Sequence, residues 1–326
     1  MMILRRLQSF FNPEQFQGWG RQHDYFEGWY FKVVAKDGTH AFAVIPGIAM
    51  DKDGHRHAFI QVLDGIKKTA VYHRFPAEAF LPTPGKFEIR VGENYFSLDK
   101  LELKLPGLSG SLQFSGQVPW PKPFYSPGIM GPYAFVPFME CYHGIMSMDH
   151  SVTGTVLLGS EPVNFDGGRG YAEKDWGHSF PSSYIWMQGN HFSKPGVSIK
   201  SSVAKIPWVR SSFVGFIAGL WIENKLYCFT TYNRTRLITC RADTHTVSLQ
   251  MENRKYRLQL LAERDEATSL ASPIRGMMEG RIEESMTARI TVTLTDKKTN
   301  EVIFHDITQN AGLEIAGPVA ELFTSP

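Results

Sequence analysis

Apolar and polar residues alternate with a period of two along most of the chain. Phe87, Ile89 and Val91 are interleaved with Glu88 and Arg90, and Leu101, Leu103 and Leu105 with Glu102 and Lys104. Val247, Leu249 and Met251, then Tyr256, Leu258 and Leu260, then Ile290, Val292 and Leu294 repeat the pattern. Successive side chains of a strand point to opposite faces, so this spacing predicts antiparallel strands with one face on a core. Turn signals fall between the runs at Lys52-Asp53-Gly54, Glu93-Asn94, Glu223-Asn224 and Lys297-Lys298-Thr299-Asn300. Convincing 3.6-residue periodicity is scarce. The predicted fold class is all-β, a sandwich or barrel of many short strands.

Two stretches interrupt the rhythm. Residues 118–137 hold six prolines among several aromatics, and proline denies a ladder its N–H donors, so a long loop or lid is predicted there. Residues 267–280 (ATSLASPIRGMMEG) read as a second irregular stretch between two clear strands, able to cover the same opening. At roughly 150 residues per domain, 326 residues predict about two domains. Two β-halves meeting near residue 180 fit: an N-terminal domain over 1–180 with the Pro-rich loop, and a C-terminal domain over 181–326.

Composition narrows the function. Lys and Arg number 34 against 32 Asp and Glu, a formal charge of +2, which argues against a nucleic-acid partner. Cys141, Cys228 and Cys240 form no CxxC and no disulfide framework, which suits a reducing compartment. Residues 2–11 (MILRRLQSFF) lack the apolar stretch of a signal peptide. They read as a short edge helix, leaving room for transient membrane-surface contact. The longest apolar run, 213–222, contains two glycines and is too short to span a bilayer as a helix. A cytoplasmic protein is expected. Aromatics reach 13%, more than a minimal core needs.

Two segments concentrate aromatics beside acids. In Asp24-Tyr25-Phe26-Glu27-Gly28-Trp29-Tyr30-Phe31-Lys32, an extended backbone puts Glu27, Trp29 and Phe31 on one face and Phe26, Tyr30 and Lys32 on the other. A carboxylate among such rings must find a partner or hold its proton, and a protonated carboxyl is a general acid. In residues 167–181 (GGRGYAEKDWGHSFP), Tyr171, Glu173 and Asp175 share a face, opposite Lys174, Trp176 and His178. Two acids so placed repel, raising one pKa unless Lys174, Arg169 or His178 compensates. Tyr184, Trp186, Gln188 and Asn190 then line one face of a following strand, which looks like a ligand wall.

Other chemistries fit poorly. The glycine-rich 167–170 lacks both phosphate-binding spacings, and no GxSxG occurs. His55-Arg56-His57 with Asp51 and Asp53 reads as surface rather than a metal site. Glu140-Cys141-Tyr142-His143 sets a thiol near a histidine, but neighbours on a strand face opposite ways, so no Cys–His pair is expected.

The tandem of Tyr25-Phe26-Glu27-Gly28-Trp29-Tyr30-Phe31-Lys32 and Tyr171-Ala172-Glu173-Lys174-Asp175-Trp176-Gly177-His178-Ser179-Phe180-Pro181 resembles the tocopherol cyclase family. The likeness continues through Trp186-Met187-Gln188-Gly189-Asn190 and Ala311-Gly312-Leu313-Glu314-Ile315-Ala316-Gly317-Pro318. It implies two lipocalin-like β-barrel or sandwich halves packed together, related to carotenoid hydratases. It also implies a reaction without cofactor or metal, the closure of a prenylated hydroquinone or a related polyene lipid. An acid protonates an alkene, and the phenol oxygen traps the tertiary cation. The resemblance makes Glu173, Asp175 and Glu27 the candidate acids and His178 a proton relay. Trp29, Trp176, Tyr30 and Trp186 would form the aromatic wall facing the developing cation, with Tyr171, Tyr184, Gln188 and Asn190 against the substrate. The plant pattern carries Asn at the position of Asp175 and Gly at that of His178, which either favours Glu173 as the shared acid or marks Asp175 and His178 for a different reaction on the same scaffold. A hydratase, or a lipid carrier without catalysis, remains open beside the cyclase.

Overall fold

The computed structural model describes residues 11–264 and 266–323, so the helix expected at 2–11 lies outside them but for Phe11. Among the described residues the elements are strands and three short 3-10 helices. The first sheet takes β1 (Tyr25–Val34), β2 (Ala41–Met50), β3 (Arg56–Asp64), β4 (Thr69–Pro76), β5 (Phe80–Pro82) and β6 (Glu88–Val91). It continues with β7 (Asn94–Ser97), β8 (Lys100–Leu105), β9 (Leu108–Ser115), β10 (Cys141–Leu158), β11 (Glu161–Asn164) and β12 (Gly168–Gly177). The second takes β13 (Tyr184–Gly189), β14 (Ser198–Trp208), β15 (Ser211–Ile222), β16 (Lys225–Thr230) and β17 (Arg236–Ala242). Its remaining strands are β18 (Thr246–Glu252), β19 (Tyr256–Glu263), β20 (Thr268–Ile274), β21 (Met277–Asp296) and β22 (Val302–Ala316).

The alternating runs of the sequence fall within or beside β6, β8, β18, β19 and β21, as expected of strands with one wet face. The fold is all-β, two antiparallel sheets in largely up-and-down order. Each sheet is an open path rather than a closed barrel. The first runs β4-β3-β2-β1-β12-β10-β9-β8-β7-β6-β5, the second β16-β15-β14-β13-β22-β21-β19-β18-β17. In both, the chain order breaks at the centre: β12 lies between β1 and β10, and β22 beside β13. That break brings the two aromatic, acidic motifs of the sequence side by side.

The chain divides into two compact units. One comprises residues up to Asp64, Thr69–Phe180 and Ala271–Arg281; the other Gly65–Lys68, Pro181–Leu270 and Ile282 onward. In the first, Trp29, Phe31, Val44, Ile60, Phe96 and Phe165 form the core. There Phe31 stacks on Phe87, Phe96 and Phe114 with centroids 6.0, 6.2 and 6.3 Å away. In the second, Ile199, Phe229, Leu249, Leu258, Val292 and Leu313 do so.

Peripheral strands alternate buried and exposed, but the central β1, β2 and β13 are buried along nearly their whole length. Burial on both faces also explains a correction. Residues 267–280 are no irregular cover but a β-hairpin of β20 and the start of β21. Leu270 through Pro273 are buried in succession, which erases the alternation that would reveal a strand. The hairpin turns at Arg275 (φ 47°) and Gly276 (φ 83°). A Cβ at Gly276 would collide with the Met50 carbonyl oxygen, so only glycine fits. Residues 118–137 do form a long loop, with a single 3-10 turn at Gly131–Phe135.

Candidate functional site

Strand β12 carries the EKDWG motif and is paired on both sides, which fixes what each of its side chains meets. Against β1 the register sets Lys174 opposite Trp29, Glu173 opposite Tyr30 and Tyr171 opposite Lys32. Against β10 it sets Asp175 opposite His143 and Glu173 opposite Ile145. Directly paired residues share a face. The sheet therefore separates Glu27, Trp29, Lys174 and Trp176 from Tyr30, Tyr171, Glu173, Asp175 and His143.

On the first of these faces, Glu27 and Lys174 are both fully buried and pair at 2.5 Å. Glu27 also accepts from the backbone N–H of Gln17 at 2.8 Å and of Gly18 at 2.9 Å, and from the Tyr25 hydroxyl through a short bond. Lys174 donates to the carbonyls of Pro13 (2.8 Å) and Gln15 (2.5 Å). Its ammonium stands 4.8 Å from the Trp29 ring centroid and 4.6 Å from that of Trp176. Burial pushes the Glu27 carboxyl up and the Lys174 ammonium down, and their mutual attraction and hydrogen bonds offset part of each shift. The cation held between Trp29 and Trp176 is thus one the protein supplies itself.

The opposite face holds a different constellation. His143 Nδ1 lies 2.7 Å from Asp175 Oδ1, and Nε2 lies 3.4 Å from Glu173 Oε2 without hydrogen-bond geometry. The Tyr171 hydroxyl donates to Glu173 through a short bond. Burial first, then the neighbouring Glu173 charge, raises the Tyr171 phenol well above its ordinary range, so it stays a donor. Cys141 Sγ stands 3.8 Å from the same Asp175 oxygen. Its thiol is raised by burial and by the Asp175 and Glu140 charges, which makes it a poor nucleophile. The side chains of Glu173 and His143 are 5% and 12% exposed and that of Asp175 22%, so the row opens toward its Asp175 end.

His143 is the residue the sequence reading missed. Cys141 and His143 are two apart, not adjacent, so they share a face and both reach Asp175. The i, i+2 spacing carried that signal, but the partner strand did not show in the sequence. Of the cations proposed to relieve the Glu173–Asp175 repulsion, Lys174 pairs with Glu27 and Arg169 with Asp149. His178 is exposed beyond the end of β12, its imidazole pushed down by desolvation and drawn up by Asp24. Its backbone N–H donates to the Glu140 carbonyl at 3.0 Å, and its carbonyl accepts from the Gly276 N–H at 2.6 Å.

In the second unit, Tyr184, Trp186 and Gln188 do share a face of β13, opposite core residues Ile185 and Met187; they and Asn190, just past its end, are all buried. Tyr184 donates to Glu314 at 2.7 Å. Trp186 lies so close to Gly312 that a Cβ there would stand 2.5 Å from its ring. Across the ladder Gln188 pairs with Lys200, and Glu284 with Glu314. Lys200 is fully buried and donates to Ser202 at 2.6 Å. Neither Lys200 nor Glu284 was marked by the sequence; the segment around Lys200, IKSSVAKI, reads as an ordinary half-wet strand.

Among the described residues, two groups have ligand atoms within 4.8 Å of one another, as a metal ion would need: Asp51, Asp53 and His55, and His143, Glu173 and Asp175. The first is an exposed turn in which Asp51 already accepts from the backbone of Asp53 and His55. His57 is apart from it, buried and 2.7 Å from the Tyr72 hydroxyl.

The double-sheet β scaffold that carries this row is shared with solved structures. The solved structure of CghA with Sch210972 has TM-score 0.57 at 12% identity, covering 90% of this chain and 89% of that one. A Nitrosomonas europaea protein assigned as AttH has TM-score 0.52 at 14% identity, covering 89% of this chain and 92% of that one. The chain belongs to the tocopherol cyclase-like family, whose sequence model matches residues 112–317 and so takes in Glu173, Asp175 and His143. A rice (Oryza sativa subsp. japonica) protein described as a probable chloroplastic tocopherol cyclase is 29% identical over 108 residues. That match spans 31% of this chain and only 23% of the rice protein's length.

Proposed function

We propose that this protein is an enzyme of the cyclase or hydratase kind, and more narrowly that it closes a ring on a prenylated hydroquinone or related isoprenoid lipid by proton transfer. The observation that carries the reading is the row Glu173–His143–Asp175, in which one imidazole faces a buried and a half-buried carboxylate. Family membership and the CghA-like fold agree with it.

Asp175 holds His143 by its Nδ1, which aims Nε2 at Glu173. Closing the 3.4 Å gap between Nε2 and Glu173 when substrate binds lets a proton pass between the two groups. Tyr171 fixes the Glu173 oxygen from the other side. Glu173 gives its proton to the substrate alkene, leaving a tertiary cation. The phenol oxygen attacks that cation, and the phenol proton returns through His143 to Glu173. One C–H and one C–O bond form while one C=C and one O–H bond are lost, so the mass is unchanged. Tyr30, opposite Glu173 in the ladder, and Tyr171 present the aromatic surface nearest the reacting carbon. Glu27 and Lys174 act structurally here, binding residues 13–18 to the sheet.

Incubation with a prenylated hydroquinone, followed by liquid chromatography and mass spectrometry, tests the reading. A shifted retention at unchanged mass is the expected outcome; a gain of one water identifies a hydratase. Recovery of bound but unaltered lipid, with identical behaviour of Glu173→Gln, identifies a carrier and overturns the proposal.

A further inference from the structure

We propose that the Pro-rich segment 118–138 is a docking surface for the neutral interface of a phospholipid bilayer. Phe124, Tyr125, Phe138 and Phe135 are 80%, 64%, 53% and 41% exposed. Large rings at such exposure, gathered within fifteen residues, are not normal surface composition.

The segment contains one charged residue, Lys122, and its ammonium pairs with Glu14 at 2.7 Å. A nearly neutral aromatic patch with tyrosine beside phenylalanine matches the headgroup boundary of a membrane, where amphipathic rings settle. It offers nothing for an acidic or basic partner. The exposed area of these four rings is roughly 500 Å² at 150–250 Å² per aromatic side chain. That falls short of the ~800 Å² per partner of a stable dimer.

The patch is also pre-ordered. Six prolines stiffen it, Trp120, Ile129 and Met139 anchor it from below, and Phe124 packs edge-on against Tyr125 at 5.3 Å. Insertion therefore costs little ordering entropy. Both ends of the segment fasten to the part of β10 that carries His143. Met148 donates to the Val118 carbonyl at 2.7 Å, and the Tyr142 hydroxyl to that of Val136 at 2.5 Å. A lipid surface seated here lies beside the strand of the acid–imidazole row.

Sedimentation of the full chain with phosphatidylcholine vesicles, and with vesicles containing added phosphatidylserine, tests the assignment by binding alone, independently of turnover. Wild type is expected to pellet with both, with little effect of salt. Phe124→Ser with Tyr125→Ser should lower partitioning about tenfold or more per ring. Its circular dichroism should be unchanged, because both rings are solvent-exposed. Absence of wild-type binding, binding that needs the anionic lipid, or equal binding by the double variant would overturn the proposal. So would a dimer in light scattering that the same variant abolishes, since the patch would then serve a second copy.

Discussion

Replacing Lys174 with Met removes one charge from the buried pair with Glu27 while keeping most of the side-chain volume. Breaking a buried pair on one side costs roughly 3–5 kcal/mol, because the remaining charge is left uncompensated. Two further losses fall on the same site. The carbonyls of Pro13 and Gln15 lose their donor, and Trp29 and Trp176 lose the ammonium 4.8 and 4.6 Å from their centroids. Against a total stability of about 5–15 kcal/mol, this is a large fraction. Guanidinium titration followed by tryptophan fluorescence reads the effect, since two of the indoles flank the site.

Two internal checks separate this reasoning from a general packing defect. First, Glu27→Gln combined with Lys174→Met should be more stable than Lys174→Met alone, because no charge is then stranded. Second, in Lys174→Met the buried Glu27 must take up a proton on folding. A carboxyl raised above its unfolded value makes the folded state bind more protons, so stability falls as pH rises through that window. The Lys174→Met penalty, measured against wild type, should shrink by up to about 1.4 kcal/mol per pH unit on acidification toward pH 5. A penalty under 1 kcal/mol, a double variant no better than the single one, or a penalty independent of pH would refute the argument.

One contribution to the pH dependence of wild type comes from His150, which is buried and pushed down to about 3 by desolvation, beside His57, pushed down to about 4. A histidine neutral when folded and charged when unfolded loses stability as pH falls from about 6.5 toward its folded value. His150→Asn should flatten that acid limb in thermal melts between pH 6.5 and 4, and an unchanged limb would assign it elsewhere. Gly312→Ala places a Cβ 2.5 Å from the Trp186 ring; it should shift Trp186 fluorescence and weaken lipid binding, whereas unaltered emission would show that the ring has room. Tyr184→Phe removes the 2.7 Å bond to Glu314 and should cost roughly 1–3 kcal/mol in denaturant titration; a neutral result would mean water replaces the hydroxyl.

What the sequence made legible follows physical lines. Period-two alternation identifies strands with one wet face, so β8, β18 and β19 were readable, and β20, buried on both faces, was not. Within a strand, alternation also sorted Glu173 and Asp175 from Lys174 and Trp176, and the ladder keeps that division. Which strand lies beside which is a non-local fact. It decided that Lys174 meets Glu27, that Arg169 meets Asp149, and that His143 rather than His178 sits at the two acids. Lys200 stayed hidden for a related reason: a lysine alternating with serines looks solvated until both faces of its strand are buried.

The central claim is that Glu173 delivers a proton to carbon, and the most direct measurement is turnover in D2O with mass analysis of the product. Ring closure by this route should place one non-exchangeable deuterium on the product, raising its mass by one unit. Glu173→Gln should bind the same lipid and form no product. A cyclised product without deuterium at carbon, or labelled product formed at the wild-type rate by Glu173→Gln, would contradict the account.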